Sequence, residues 1–171
     1  ENKLSEHAWH YLNDIESRPS IHELLVNWLS RTPINGSLIE SKNDSEIVRN
    51  FVDEHLKSMQ EHGSKVIEHM IAIGHGERKP LSERLESQVN AAKEFLIQDG
   101  VVNRSRAGLL YIETYRELPL LSWPRALIEQ IVATEQAMIL FRSHHARMVE
   151  RMIGRRMGTG GSSGVDYLDM T

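Results

Sequence analysis

His145 is the residue of this chain best placed to do chemistry. Met148, Val149 and Met152 follow it at three, four and seven positions, so on a helix they share its face, and His145 is expected to point inward from an apolar stripe. His144 falls about 100° around, on a stripe with Arg147 and Arg151, and is expected at the wet edge. Four residues past Gly154 begins Gly158-Thr-Gly-Gly-Ser-Ser-Gly164. Its glycines expose backbone amides, and Thr159, Ser162 and Ser163 add hydroxyls, a combination suited to an anionic or zwitterionic ligand. An imidazole next to such a loop is the layout of a cofactor site. The same residues also describe a core histidine satisfied by a backbone carbonyl, followed by a flexible tail, and the local pattern leaves both readings open. A P-loop is excluded, because the Gly-Lys-Ser/Thr ending is missing and no strand precedes the glycines.

The elements that must position these residues read as helices, with almost no strand signal. Residues 3–16 carry Leu4, Ala8, Tyr11, Leu12 and Ile15 on one face. Pro19 resets the chain, Ser20 can cap the next helix, and Glu23 falls at the capping-box position; that helix carries Ile21, Leu24, Leu25, Trp28 and Leu29 and ends near Pro33. Residues 32–44, containing Asn35-Gly36, form the main loop. Ile47, Val48, Phe51, Val52 and Leu56 then recur at helical spacing in a segment running from 45 to about 73, with Gly63 as a weak point. After the break at 74–80, Leu81, Leu85, Val89, Ala92 and Leu96 support a helix ending at Gly100, and 103–116 support another. Pro119 and Pro124 bracket a short extended link, with Pro124 as the first residue of a helix capped by Ser122. From there to Gly154 no proline or glycine intervenes, so His145 is expected late on a helix about 45 Å long.

Composition bounds what such a chain can do. With 171 residues and 40% hydrophobic content, one packed all-α domain over 1–171 is expected, with 158–171 as a glycine-rich loop and tail. The net charge of −4 comes from interspersed acids and bases, so no electrostatic footprint for nucleic acid or an anionic membrane is present. No apolar run approaches the roughly 20 residues that span a bilayer, the polar N-terminus does not read as a signal peptide, and a soluble, cytoplasmic protein is expected.

Cysteine is absent, which removes disulfides, thiolate metal sites and cysteine nucleophiles and leaves nitrogen and oxygen as metal donors. Among the nine histidines, His55, His62 and His69 recur every seven residues, about 10 Å apart along a helix, too far to share one ion; they are expected on a solvated helix edge. His7 and His10 have pair spacing but no evident third ligand.

His145-x-x-x-Val149-x-Arg151-x-x-Gly154, leading into Gly158-Thr-Gly-Gly-Ser-Ser-Gly-x-x-Tyr167-Leu168, resembles the tryptophan 2,3-dioxygenase family in spacing and order. Upstream, Arg18-Pro-Ser-Ile-His-Glu-Leu-Leu-Val-Asn-Trp-Leu-Ser-Arg-Thr-Pro33 is similar to the helix after that family's substrate-binding segment, and Tyr115-Arg-Glu-Leu-Pro119 resembles the turn before its long ligand helix. The resemblance runs from about Pro19 onward and is most specific over 141–168.

The resemblance implies an all-α helical bundle of the tryptophan/indoleamine dioxygenase kind, C-terminal part only, and haem b as cofactor. His145 is carried over as the proximal iron ligand, and Thr159 as the loop residue meeting the substrate's ammonium and carboxylate, flanked by Gly158 and Gly160. Met148, Val149 and Met152 suit a porphyrin face, and Arg142 or Arg147 a propionate. The implied reaction adds both atoms of dioxygen across the indole C2–C3 bond of L-tryptophan, giving N-formylkynurenine. A related histidine-ligated haem enzyme that hydroxylates an aromatic amino acid or modified indole is the first alternative. A non-catalytic helical module that binds haem or protein partners is the second. The family also implies a homo-oligomer, a tetramer or dimer of dimers.

The sequence departs from the family in one large respect. The upstream helix with its distal-pocket histidine and aromatic residues has no counterpart before Glu1, nor has the arginine that fixes the substrate carboxylate. The catalytic distal residues are therefore unknown from this chain. A fragment, missing pieces, or a subunit completed by a partner would each account for this, and incompleteness is favoured because a haem with one wall would stand open to water.

Overall fold

A computed structural model describes residues 6–154, and the chain divides into two compact units, Glu1–Thr114 and Tyr115–Thr171. The architecture is all-α, with six α-helices and one two-stranded hairpin among the described residues. No described helix is long and apolar enough to cross a membrane.

The first unit contains α1 (Glu6–Glu16), α2 (Ile21–Ser30), α3 (Asp44–Ala72), α4 (Arg78–Leu96), β1 (Ile97–Gln98), β2 (Val101–Val102) and α5 (Arg104–Thr114). Helix α2 starts as the sequence predicts. The Glu23 amide donates to Ser20 Oγ at 3.1 Å, and the Ser20 amide donates to Glu23 Oε2 at 2.7 Å, a complete capping box. That amide bond, reinforced by the Ser20 hydroxyl, holds the Glu23 carboxyl below the usual carboxylate range.

The expected loop over 32–44 tightens at Asn35 and Gly36, both at positive φ, where Ile34 bridges Ser37. Ile34 is thereby turned inward into a core with Val48, Phe51, Val52, Leu96 and Ala107, against which Tyr111, Leu110 and Val102 pack. The Tyr111 ring meets Phe51 edge-on, with centroids 5.4 Å apart.

Helix α3 runs through Gly63 without a break. The gap left by the missing side chain is filled by Leu85 of α4, which would collide with any β-carbon there. The segment after α4 corrects the expected helix end at Gly100. The helix stops at Leu96, and Asp99-Gly100, both at positive φ, turn a short antiparallel hairpin pairing Ile97 with Val102 and Gln98 with Val101. Arg49 of α3 closes over the turn, its Nη1 donating to the Gly100 carbonyl at 2.8 Å. Asn103 then caps α5 by accepting from the Arg106 amide at 3.2 Å.

In the second unit, the link between Pro119 and Pro124 is a 3-10 turn, Pro119–Leu121, and not extended chain. Ser122 lies within the helix instead of capping it; its hydroxyl donates to the Pro119 carbonyl at 2.7 Å. The helix that follows, α6 (Ser122–Ile153), has 32 residues and is about 48 Å long. It is the long rod the sequence predicts.

Candidate functional site

The candidate site is built on the last three turns of α6. The helix ends at Gly154, whose amide donates to the Glu150 carbonyl at 2.9 Å and whose φ of +67° turns the chain off the helix axis. That conformation favours glycine.

The inward stripe of this segment is centred one residue later than the apolar pattern suggests. Ala146 is completely buried, and Val149 and Glu150, three and four positions on, are half-buried. His145 lies at the border of that stripe and is half-buried, as are Val149 and Glu150. Met148 and Met152, expected to line an inward wall with it, are 50% and 74% exposed.

His145 makes one aromatic contact among the described residues. The ring of Phe141, one turn earlier, stacks on the imidazole with centroids 5.9 Å apart and planes 15° from parallel. Among the described residues no hydrogen bond occupies either imidazole nitrogen. The nitrogens remain available as donor or ligand atoms, since a stacked ring covers the face and not the edge.

His144 is exposed as expected. With Arg147, Met148, Arg151 and Met152 it lines an open surface groove that joins apolar floor to cationic rim. Arg147 is tied to Glu150, Nη1 to Oε2 at 3.0 Å, while Arg142 is exposed on the opposite flank. The predicted site residues Gly158, Thr159 and Gly160 lie outside the described residues.

The other histidines form no competing centre. No group of three or more His, Asp or Glu side chains placed to hold a metal occurs among the described residues, and His10 is exposed on α1. His62 and His69 are exposed as a solvated edge requires, but His55 is half-buried beside Phe51, 6.4 Å between centroids. Burial pushes its pKa below the ordinary histidine value.

Phe141 is the site residue that the apolar-stripe reading passes over. Its signal in the sequence is an aromatic side chain four positions before a histidine on a predicted helix.

Comparison with known proteins adds a second line of observation. The family profile described as tryptophan 2,3-dioxygenase matches residues 1–171. A tryptophan 2,3-dioxygenase of Sorangium cellulosum is 41% identical over 169 residues, which cover 92% of this chain and 40% of that protein. A tryptophan 2,3-dioxygenase-like protein of Xanthomonas campestris pv. campestris is 41% identical over 164 residues, 90% of this chain and 59% of its own length. A tryptophan 2,3-dioxygenase of Aedes aegypti is 29% identical, with 94% of this chain and 42% of that protein covered. The chain thus spans less than two thirds of the length of these relatives. No solved structure matches.

Proposed function

This chain belongs to the tryptophan 2,3-dioxygenase family, and from that premise we propose that it carries the haem-anchoring helix and substrate loop of a cytoplasmic enzyme that opens the indole ring of L-tryptophan with dioxygen to N-formylkynurenine. Haem b, when bound, supplies the iron centre that engages dioxygen and the redox chemistry that delivers both oxygen atoms to the indole C2–C3 bond.

The residues present fit that group. The observation that carries the reading is a half-buried imidazole with hydrogen-bond-free nitrogens among the described residues, set in exposed apolar surface made by Phe141, Met148 and Met152. Such surface on a helix face marks a ligand or partner site. His145 would hold the iron as its proximal ligand, and the absence of cysteine leaves imidazole without a thiolate competitor. Met148, Val149 and Met152 would lie against the macrocycle and exclude water from it, and Arg142 would balance a propionate charge. Thr159, with Gly158 and Gly160, would meet the ammonium and carboxylate of the amino acid through its hydroxyl and the loop amides. That assignment is supported by the family motif.

Assembly into a homo-oligomer belongs to the same reading. Exposed Val132, Met138, Ile139 and Leu140 on the middle turns of α6 support it.

The test is an absorption spectrum after haem reconstitution, comparing the parent chain with His145→Ala. A Soret band characteristic of histidine-ligated haem, present in the parent and lost in the variant, supports the reading. Retention of the band in the variant rejects it. With reductant, oxygen and tryptophan, a product heavier by two oxygen atoms supports ring opening, whereas a gain of one indicates hydroxylation.

A further inference from the structure

We propose that Phe141 is a positioning residue for His145: its ring fixes the plane in which the imidazole presents its ligating nitrogen. The inference rests on the reading of His145 as an iron ligand and deepens it.

The geometry is that of an i, i+4 aromatic pair on one helix face, stacked nearly parallel at 5.9 Å and 15°. A ligating lone pair lies in the imidazole plane, so the stack blocks neither nitrogen. It does restrict rotation about the bond that joins ring to side chain, a torsion that is otherwise broad for histidine. A metal-bound histidine is ordinarily oriented by a hydrogen bond on its second nitrogen. Among the described residues no such bond is present, and the Phe141 ring is the described contact that sets the plane.

Two further observations separate this role from ordinary packing. Phe141 is 66% exposed, so it does not serve as a core residue among the described side chains. Ala146, adjacent to His145, is completely buried, whereas the stacked ring lies on the exposed side of the same turn. A ring stacked on its face limits the freedom of the imidazole to tilt.

The experiment uses the haem-loaded protein and four variants: His145→Ala, Phe141→Ala, Phe141→Leu and Phe141→Trp. Two quantities are read, the ferric electron paramagnetic resonance spectrum, which responds to the orientation of an axial imidazole, and the rate of haem transfer to an excess of an apo-haem acceptor protein. Phe141→Ala and Phe141→Leu are expected to broaden the g-value distribution and to release haem roughly 2- to 10-fold faster, in line with the strength of one aromatic pair. Phe141→Trp keeps a stackable ring and is expected to restore both. Parent-like behaviour of Phe141→Leu would show that apolar cover suffices and would overturn the proposal, as would parent-like behaviour of Phe141→Ala. The His145→Ala arm separates the two levels. If it loses the histidine-ligated signature while the Phe141 variants resemble the parent, only the positioning role falls. If it keeps the signature, the ligand assignment falls and the positioning role with it.

Discussion

Arg104 and Asp44, sixty residues apart, are joined by a two-point grip: Nε to Oδ2 at 3.0 Å and Nη2 to Oδ1 at 3.1 Å. The side chains are only 14% and 9% exposed, and the pair gathers the 32–44 loop around it. Nη2 also donates to the Thr32 carbonyl at 2.8 Å, and the Ser37 hydroxyl donates to Asp44 Oδ1 at 2.8 Å. Nη1 is buried without a partner among the described residues, so the guanidinium depends heavily on its single carboxylate.

Asp44→Ala should therefore cost about 3–5 kcal/mol, because it strands a buried cation. Replacing both residues by apolar side chains of similar size should cost far less, since nothing is then left uncompensated. Urea unfolding followed by circular dichroism would compare the single and double variants; equal losses would contradict the account.

Gly108 of α5 lies directly against α2. A β-carbon there would overlap the Leu29 carbonyl oxygen and stand 3.1 Å from the Thr32 hydroxyl oxygen. Backbone cannot move aside as a side chain can, so Gly108→Ala should destabilise the first unit by about 1–3 kcal/mol despite alanine's higher helix propensity. The expected signature is a lower urea midpoint at unchanged slope. A rise in midpoint would mean that propensity outweighs the clash.

The half-buried His55 gives stability a pH dependence of defined sign. Burial lowers its folded-state pKa below the unfolded value near 6.5, so the folded chain binds fewer protons than the unfolded one. Its contribution is fully present above the unfolded pKa and declines as pH falls from there through the lower folded value. His55→Gln should flatten that slope when unfolding midpoints are measured from about pH 7.5 down to about pH 5.5. A slope unchanged by the substitution would assign the pH dependence to other groups.

Thr159→Val tests the loop's proposed hydroxyl. Loss of one hydrogen bond should weaken tryptophan binding by roughly 2- to 10-fold while leaving haem affinity near that of the parent. Substrate-induced changes in the haem absorption spectrum would give the first quantity and haem transfer the second. Equal weakening of both would point to a disturbed fold instead.

Most of the helical framework can be read from the residues themselves. The capping box at Ser20 and Glu23 follows from local spacing, as does the uninterrupted α6, because both are decided within a few turns. The hairpin over 97–102 is harder to see. Each strand is two residues long, too short for an alternation to register, and its one signal is the Asp99-Gly100 turn dipeptide. The Arg104–Asp44 lock has no local signature, since partners sixty positions apart meet only when the chain folds. At the site, the motif around His145 is legible, but which side of the helix is inward is not. The fully buried residue there is Ala146, and a small side chain adds little to an apolar stripe.

The unbroken run of α6 makes the number of residues before His145 a structural quantity in its own right. Inserting a single residue anywhere between 125 and 140 would swing the imidazole about 100° around the rod and shift it about 1.5 Å along it relative to the helix start. Even a seven-residue insertion, which nearly restores the angle, would displace the imidazole by about 10 Å. The segment can therefore vary in spelling far more freely than in length if His145 is to stay where it is.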